Sequence, residues 1–220
     1  MNTSAKTQTK SLLGNSLFLA TALSIGLLTG CASVDNTRAT PTIEQNPAQR
    51  GAVSGVGIEQ QDIAAMTDRM MRDMLANPTL ANQNPPPQVI VDGEYFVNES
   101  SQRLNKNQIT DRLRVELNRA SRGRMVFVGR HYSDMVAQER ELKREGVVDV
   151  GTTGMTRAQA GGDYRLGGRI SSLDSRDTRT GLTQRYSQIT FEMVDLERGV
   201  IVWSGMYEFS RAAGDDVIYR

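Results

Sequence analysis

Residues 184–209 read QRYSQITFEMVDLERGVIVWSGMYEF, and this stretch decides the fold. From Gln184 to Leu196 apolar and polar side chains alternate. A period of two sends successive side chains to opposite faces, so the run predicts a strand with one face buried and one wet. Val200–Phe209 is a second strand-like run, and Asp195-Leu-Glu-Arg-Gly199 between them supplies a tight turn. Trp203 alternates with Ile201, which predicts a shared buried face. A third run, Tyr164–Leu173, precedes these two across a turn at Asp174–Gly181. Three consecutive runs joined by turns make a β meander.

Upstream of the meander the period changes. Residues 146–162 hold five glycines and predict a loop. Asp134–Arg144 predicts a charged helix ended by Gly146, and Met125–Val128 a short buried strand. Ile109, Leu113, Leu117 and Ala120 recur on one face of a helix for which Asn107 is the candidate cap. Pro85-Pro86-Pro87 is a stiff lead-in to Gln88–Val97, rich in β-branched and aromatic residues and predicted as one strand. Beyond Ile58, the residues Ile63, Met66, Met70, Met71, Met74 and Leu75 recur at helical spacing until Asn77-Pro78. A methionine stripe of this kind can form an adaptable groove; plain core packing is the simpler reading. Helices early and a meander late predict an α/β (α+β) class. The expected architecture is a single small domain, residues 55–211, with a mixed or antiparallel sheet flanked by helices, and 212–220 as a tail.

The first 30 residues are an address. Lys6 and Lys10 precede an apolar run, Leu12 to Leu28, that closes with Leu28-Thr29-Gly30-Cys31. A basic start, a short apolar stretch and small residues before a break describe a secretory signal peptide. The run is short for a membrane span, which needs about 20 mostly apolar residues. Leu-Thr-Gly-Cys resembles the bacterial lipobox, in which the peptide is cut before the cysteine and the cysteine carries acyl chains. Cys31 is therefore the candidate lipidation site, with the covalent lipid standing where a cofactor would. Several acyl chains at about 0.8 kcal/mol per buried CH2 give an anchor that does not readily dissociate. Ala32 follows the cysteine, which favours the outer membrane. Residues 31–54 are polar and lack an apolar period, so they read as a lipidated flexible tether. Residues 32–54 reach about 75–80 Å fully extended and about 25–30 Å as a coil.

Composition removes most chemistry. The 220-residue chain has 26 Lys+Arg against 25 Asp+Glu, which argues against a dedicated nucleic-acid binder. One Cys excludes an intramolecular disulfide framework, and one Cys with one His excludes a Cys/His zinc cluster. Any Ser–His or Cys–His pair would have to use His131, which has no neighbouring ligand pattern. There is no phosphate-binding Gly-x-x-x-x-Gly-Lys-Ser/Thr loop, and Gly51, Gly55 and Gly57 do not complete Gly-x-Gly-x-x-Gly. Asp215-Asp216 are adjacent carboxylates near the end, a pattern usual for a solvated tail. No catalytic or metal-binding set emerges, and an enzyme is not expected.

Charge is unevenly placed. Between residues 103 and 130, Arg103, Lys106, Arg112, Arg114, Arg119, Arg122, Arg124 and Arg130 face only Asp111 and Glu116. The planar fork of Arg suits carboxylates better than Lys does. A solvated helix face accounts for the run; an acidic partner surface, protein or peptidoglycan stem peptide, is the sharper reading. Arg112, Arg119 and Arg122 are the candidate partner-binding residues.

The order of parts carries a resemblance: lipobox, polar tether, Met-rich helix, the Val89-Ile-Val-Asp92 strand, amphipathic helix, and a closing hairpin returning through Gly199-Val-Ile-Val-Trp-Ser-Gly205. Roughly Gly55 to Ser210, with the lipobox, resembles the LpoB-type outer-membrane lipoprotein activators of penicillin-binding proteins. The resemblance implies a small α/β domain similar to the amino-terminal domain of TolB, held on a lipid anchor and facing the periplasm. It also implies docking on a bifunctional class A penicillin-binding protein to stimulate glycan polymerisation and cross-linking, with peptidoglycan a further candidate partner. The family's tether is long and Pro-rich; residues 32–54 are short and Pro-poor. The helix expected before the first meander strand is reduced to Thr156–Gly162. The alternative is a structural envelope lipoprotein or a secretion-assembly component. Arg185, Gln188 and Glu192 leave no lipid-facing band for a pore hairpin.

Overall fold

The computed structural model describes residues 42–152, 154–214 and 217. The signal segment, Cys31, tether residues 32–41 and Asp215-Asp216 lie outside the described residues. The described residues from Gln45 onward form one compact unit.

Helix α1 (Gln60–Ala76) begins where Asp62 Oδ2 accepts the Glu59 backbone N–H at 2.9 Å, filling a donor that the helix start leaves open. It ends at Asn77, whose side chain then caps the short α2 (Pro78–Ala81) by accepting from Thr79 N at 2.9 Å. The methionine stripe is core: Met66, Met70 and Met74 are at most 2% exposed. Helix α3 (Lys106–Ser121) buries Ile109, Leu113 and Leu117, as their spacing predicts. Its cap is Asn105 rather than Asn107. Asn105 Oδ1 accepts from Asn107 N at 3.1 Å and Gln108 N at 3.4 Å, the geometry a cap two residues earlier provides.

The predicted strand 88–97 is two strands. β1 (Gln88–Ile90) and β2 (Phe96–Glu99) are separated by a turn in which Asp92 Oδ1 accepts from Glu94 N at 3.2 Å. An Asp side chain that mimics the backbone in this way starts a turn and interrupts a strand. β3 (Val126–Phe127) is short and less buried than expected, with Val126 48% exposed. A 3-10 turn (Arg130–Tyr132) leads to α4 (Ser133–Arg144), which buries none of its residues. The meander is β4 (Tyr164–Arg176), β5 (Thr183–Asp195) and β6 (Val200–Ala213).

Among the described residues six strands form one sheet in the order β3-β1-β4-β5-β6, with β2 beside β4. β1 and β2 both run parallel to β4, and β1 runs parallel to β3; β4, β5 and β6 are antiparallel. Mixed sheets of this kind need crossovers for the parallel pairs and hairpins for the rest. α1 and α3 pack on each other, and their apolar faces meet Leu166, Ile170, Ile189, Phe191, Met193 and Trp203 in one core. Phe96 and Phe191 stack at 5.0 Å between centroids.

Ile201 does not share the face of Trp203. Trp203 is 6% exposed and Ile201 is 52% exposed. Met193 pairs with Trp203 while Val194 pairs with Ile201, so Val202 is an extra residue in β6. Such a bulge reverses the alternation on one side of itself. The return strand is thus tuned around Trp203 and Gly205. A Cβ on Gly205 would lie 2.5 Å from Met70 Sδ and 2.6 Å from the Trp203 ring. Only glycine lets α1 approach β6 this closely.

Candidate partner surface at the end of helix α3

α3 presents its buried stripe to α1 and the sheet, which leaves its arginines on the flanks and outer face. They do not act alike. Arg114 is structural: its Nη1 donates to Val91 O at 3.3 Å and its Nη2 pairs with Asp111 at 2.9 Å. Arg112 is half-buried, and its Nε is enclosed without a hydrogen-bond acceptor among the described residues. Arg119 and Arg122 are exposed.

The helix end positions the last group. Arg122 takes the left-handed conformation at φ 50° and Gly123 follows at φ 83°. The chain reverses there, and Arg124 N donates to Ser121 O at 3.0 Å. This is a helix stop that satisfies a terminal carbonyl, and Arg124 Nε donates to the same oxygen at 3.2 Å. Cations at this end also meet the negative end of the helix dipole.

The result is an open depression of about 510 Å³ lined by Met71, Glu116, Arg119, Ala120, Arg122 and Arg124. Three guanidinium groups and one carboxylate surround the half-buried Met71 of α1. Forked donors around an apolar floor suit a carboxylate-bearing protein surface. The structure therefore brings Arg119 and Arg122 together, adds Arg124 and Met71, and leaves Arg112 outside the lining. Arg124 stood in the charge run; the Ser121-Arg-Gly-Arg124 stop signal was the sequence cue that the chain turns it back toward Arg119.

The other polar clusters hold the fold. Arg165, at the break between β1 and β2, pairs with Asp92 at 2.9 Å and with Glu94, and its guanidinium lies 4.5 Å from the centre of the Tyr95 ring. Arg211 donates to both Asp62 oxygens, at 2.9 and 2.6 Å, and to Gly57 O at 2.8 Å, tying the start of α1 to the end of β6. His131 is exposed and its ring lies 4.0 Å from that of Tyr132. Among the described residues no helix is long and apolar enough to cross a membrane.

The family model of the peptidoglycan-synthase activator LpoB matches residues 62–209, from the first turn of α1 into β6 and well over half of the chain. The chain belongs to the LpoB family. Among solved structures, the LpoB C-terminal domain from Salmonella enterica is 21% identical, with a TM-score of 0.39 and coverage of 67% of this chain and 98% of that one. The LpoB C-terminal domain from Escherichia coli is also 21% identical, with a TM-score of 0.39 and coverage of 68% and 98%. Lipoprotein GNA1162 from Neisseria meningitidis is 14% identical, with a TM-score of 0.31 and coverage of 60% and 88%. No curated protein matches the chain. Membership of the LpoB family places the chain among peptidoglycan-synthase activators.

Proposed function

We propose that this LpoB-family chain is an outer-membrane lipoprotein, anchored by acyl chains on Cys31 after loss of residues 1–30, that faces the periplasm. It binds a bifunctional class A penicillin-binding protein and stimulates glycan polymerisation and cross-linking, performing no chemistry itself. The observation that carries the reading is the family match, which takes in both core helices and reaches into the last strand of the meander. The cationic depression around Met71 is the contact surface in this reading, with Arg119 and Arg122 at its rim and Arg112 two helical turns away on the same flank.

The activation follows from differential binding. An activator shifts its target only by binding the active state more tightly than the inactive one. Guanidinium groups on a rigid helix end can read the placement of carboxylates in one state of a regulatory domain and not the other. The test mixes the lipidated protein in detergent with each class A penicillin-binding protein of the same cell and follows glycan-chain synthesis against activator concentration. A saturable rise in rate is the expected result. No rise and no binding with any of these enzymes would overturn the reading in favour of a structural envelope role.

A further inference from the structure

β6 is an edge of the sheet and, at 14 residues, its longest strand; the opposite edge, β3, has two. Among the described residues β6 pairs with β5 alone, and no other backbone group is bonded to it. In an antiparallel pair, alternate residues direct their N–H and C=O groups away from the neighbour, so among the described residues β6 offers a row of open donors and acceptors. Long edges are normally blunted by Lys, Pro, bulges or a covering loop. β6 holds no Lys and no Pro. Its bulge lies at Val202, leaving Trp203–Ala213 in continuous register. Its two charged side chains are already engaged: Glu208 accepts from Tyr186 Oη at 2.6 Å, and Arg211 is paired with Asp62.

Both signs of charge lie beside this edge, because Asp73 and Glu59 accept from neutral donors and keep their charge. Arg69 is an exposed cation there that no carboxylate pairs among the described residues. A depression of about 610 Å³ runs between α1 and the edge, with Arg69, Arg72 and Asp73 on one side and Ser204, Gly205 and Met206 on the other. Asp73 accepts from the Trp203 indole at 2.8 Å, and Arg72 is paired with Asp68 at 2.6 Å. Arg69 is exposed and forms no ion pair among the described residues. A second depression, about 480 Å³, borders Arg211–Ala213 and includes Arg50 and Glu59. Glu59 accepts from Gly55 N at 2.6 Å and from the Gln61 side chain at 2.8 Å, while Arg50 donates to Ser54 and forms no ion pair among the described residues.

We propose that the β6 edge receives an extended segment of a partner protein as a seventh strand of the sheet, with one carboxylate of that segment on Arg69. Main-chain hydrogen bonds supply the affinity in this mode and side-chain contacts the selectivity. A second copy is the poorer occupant. Pairing β6 with itself about a two-fold axis would set the two strand centres together and bring both Arg69 side chains to one seam, like charge against like. The inference stands whether or not the partner is a penicillin-binding protein.

The test uses the full-length protein in detergent and two synthetic peptides of about ten residues that alternate valine and threonine, matching a strand of average length or more. One has a central aspartate and the other a central lysine. Amide hydrogen exchange is followed with and without each peptide. The aspartate peptide is expected to slow exchange along Trp203–Ala213 and to bind about threefold more tightly than the lysine peptide, as one exposed ion pair provides. Arg69→Glu, an exposed substitution checked for folding by circular dichroism, is expected to reverse the preference. Equal affinities, an unchanged preference in Arg69→Glu, or no slowing of β6 exchange by either peptide would overturn the proposal. So would slow β6 exchange that strengthens with protein concentration in the absence of peptide, which would assign the edge to a second copy.

Discussion

Trp203 Nε1 donates to Asp73 Oδ2 at 2.8 Å, joining the return strand of the meander to α1 across 130 residues of sequence. The indole is 6% exposed and sits in the core, while its one polar atom reaches the surface through this bond. A buried indole N–H without an acceptor is costly, so Asp73 lets the sheet bury its largest side chain at the helix contact. Trp203→Phe keeps most of the ring and is expected to destabilise by about 1–3 kcal/mol through lost packing and the lost bond. Trp203→Ala is expected to destabilise by about 3–5 kcal/mol. Asp73→Asn, which keeps an acceptor, should stay within about 1 kcal/mol. Urea unfolding followed by circular dichroism ranks the three.

The parts of this arrangement that depend on period were legible in the sequence, and those that depend on a single local bond were not. The Met66, Met70 and Met74 stripe and the Ile109, Leu113 and Leu117 stripe are long enough for the helical repeat to outweigh noise, and both are buried. The break at Asp92 depends on one side chain accepting one backbone N–H, in a run whose β propensity is otherwise continuous. The bulge at Val202 leaves no mark on composition, and it alone separates Ile201 from Trp203. In the candidate surface, the sequence located the charge run. Sorting Arg114 into the fold and Arg119 and Arg122 onto the rim needed the path of the chain at Gly123.

At Gly205 β6 lies against Met70 of α1 and the Trp203 ring, and a methyl group there has no room. Gly205→Ala is expected to push Met70 or the Trp203 ring off its rotamer and destabilise by about 1–3 kcal/mol. Its cost and that of Met70→Ala should be less than additive, because shortening Met70 clears part of the space. A double-mutant cycle measured by chemical denaturation tests this, with an expected coupling of about 0.5–3 kcal/mol. Strict additivity would remove Met70 as the cause.

Acid sensitivity is placed at the turns of the meander. Hydrogen bonds from Arg185 hold the Asp174 carboxyl below the ordinary carboxylate value, against the opposing effect of burial and with help from the Ser101 hydroxyl. The Arg198 backbone N–H, then its side chain, lower Asp195 in the same direction. A carboxylate lowered in the folded state stabilises above its unfolded pKa, near 3.9, and the stabilisation is lost as pH falls through the folded value. Arg185→Gln is therefore expected to lower Tm by a constant amount above about pH 4–5 and by progressively less below that. Melting curves across this range check the sign; a difference that grows in acid contradicts it.

The arginines of α3 are separable by what each already touches, and that separation sets the last prediction. Arg114 holds Val91 O and Asp111, so its loss should lower stability whatever the protein binds. Arg112 has its Nε enclosed, so Arg112→Glu would bury a carboxylate beside that site and disturb the helix as well as any interface. Arg119 and Arg122 are exposed around Met71, and reversing both to Glu leaves the core untouched. Arg119→Glu with Arg122→Glu is expected to change Tm little and to weaken binding to the class A penicillin-binding protein proposed as the partner by about tenfold or more, mainly through slower association. The loss should shrink in high salt, because screening removes the attraction in the parent protein and the repulsion in the variant alike. Surface plasmon resonance across a salt series separates these contributions. A matching loss with Arg112→Glu that does not lower Tm would extend the surface two turns along the helix. Unchanged association for Arg119→Glu with Arg122→Glu would place the synthase contact elsewhere on the domain.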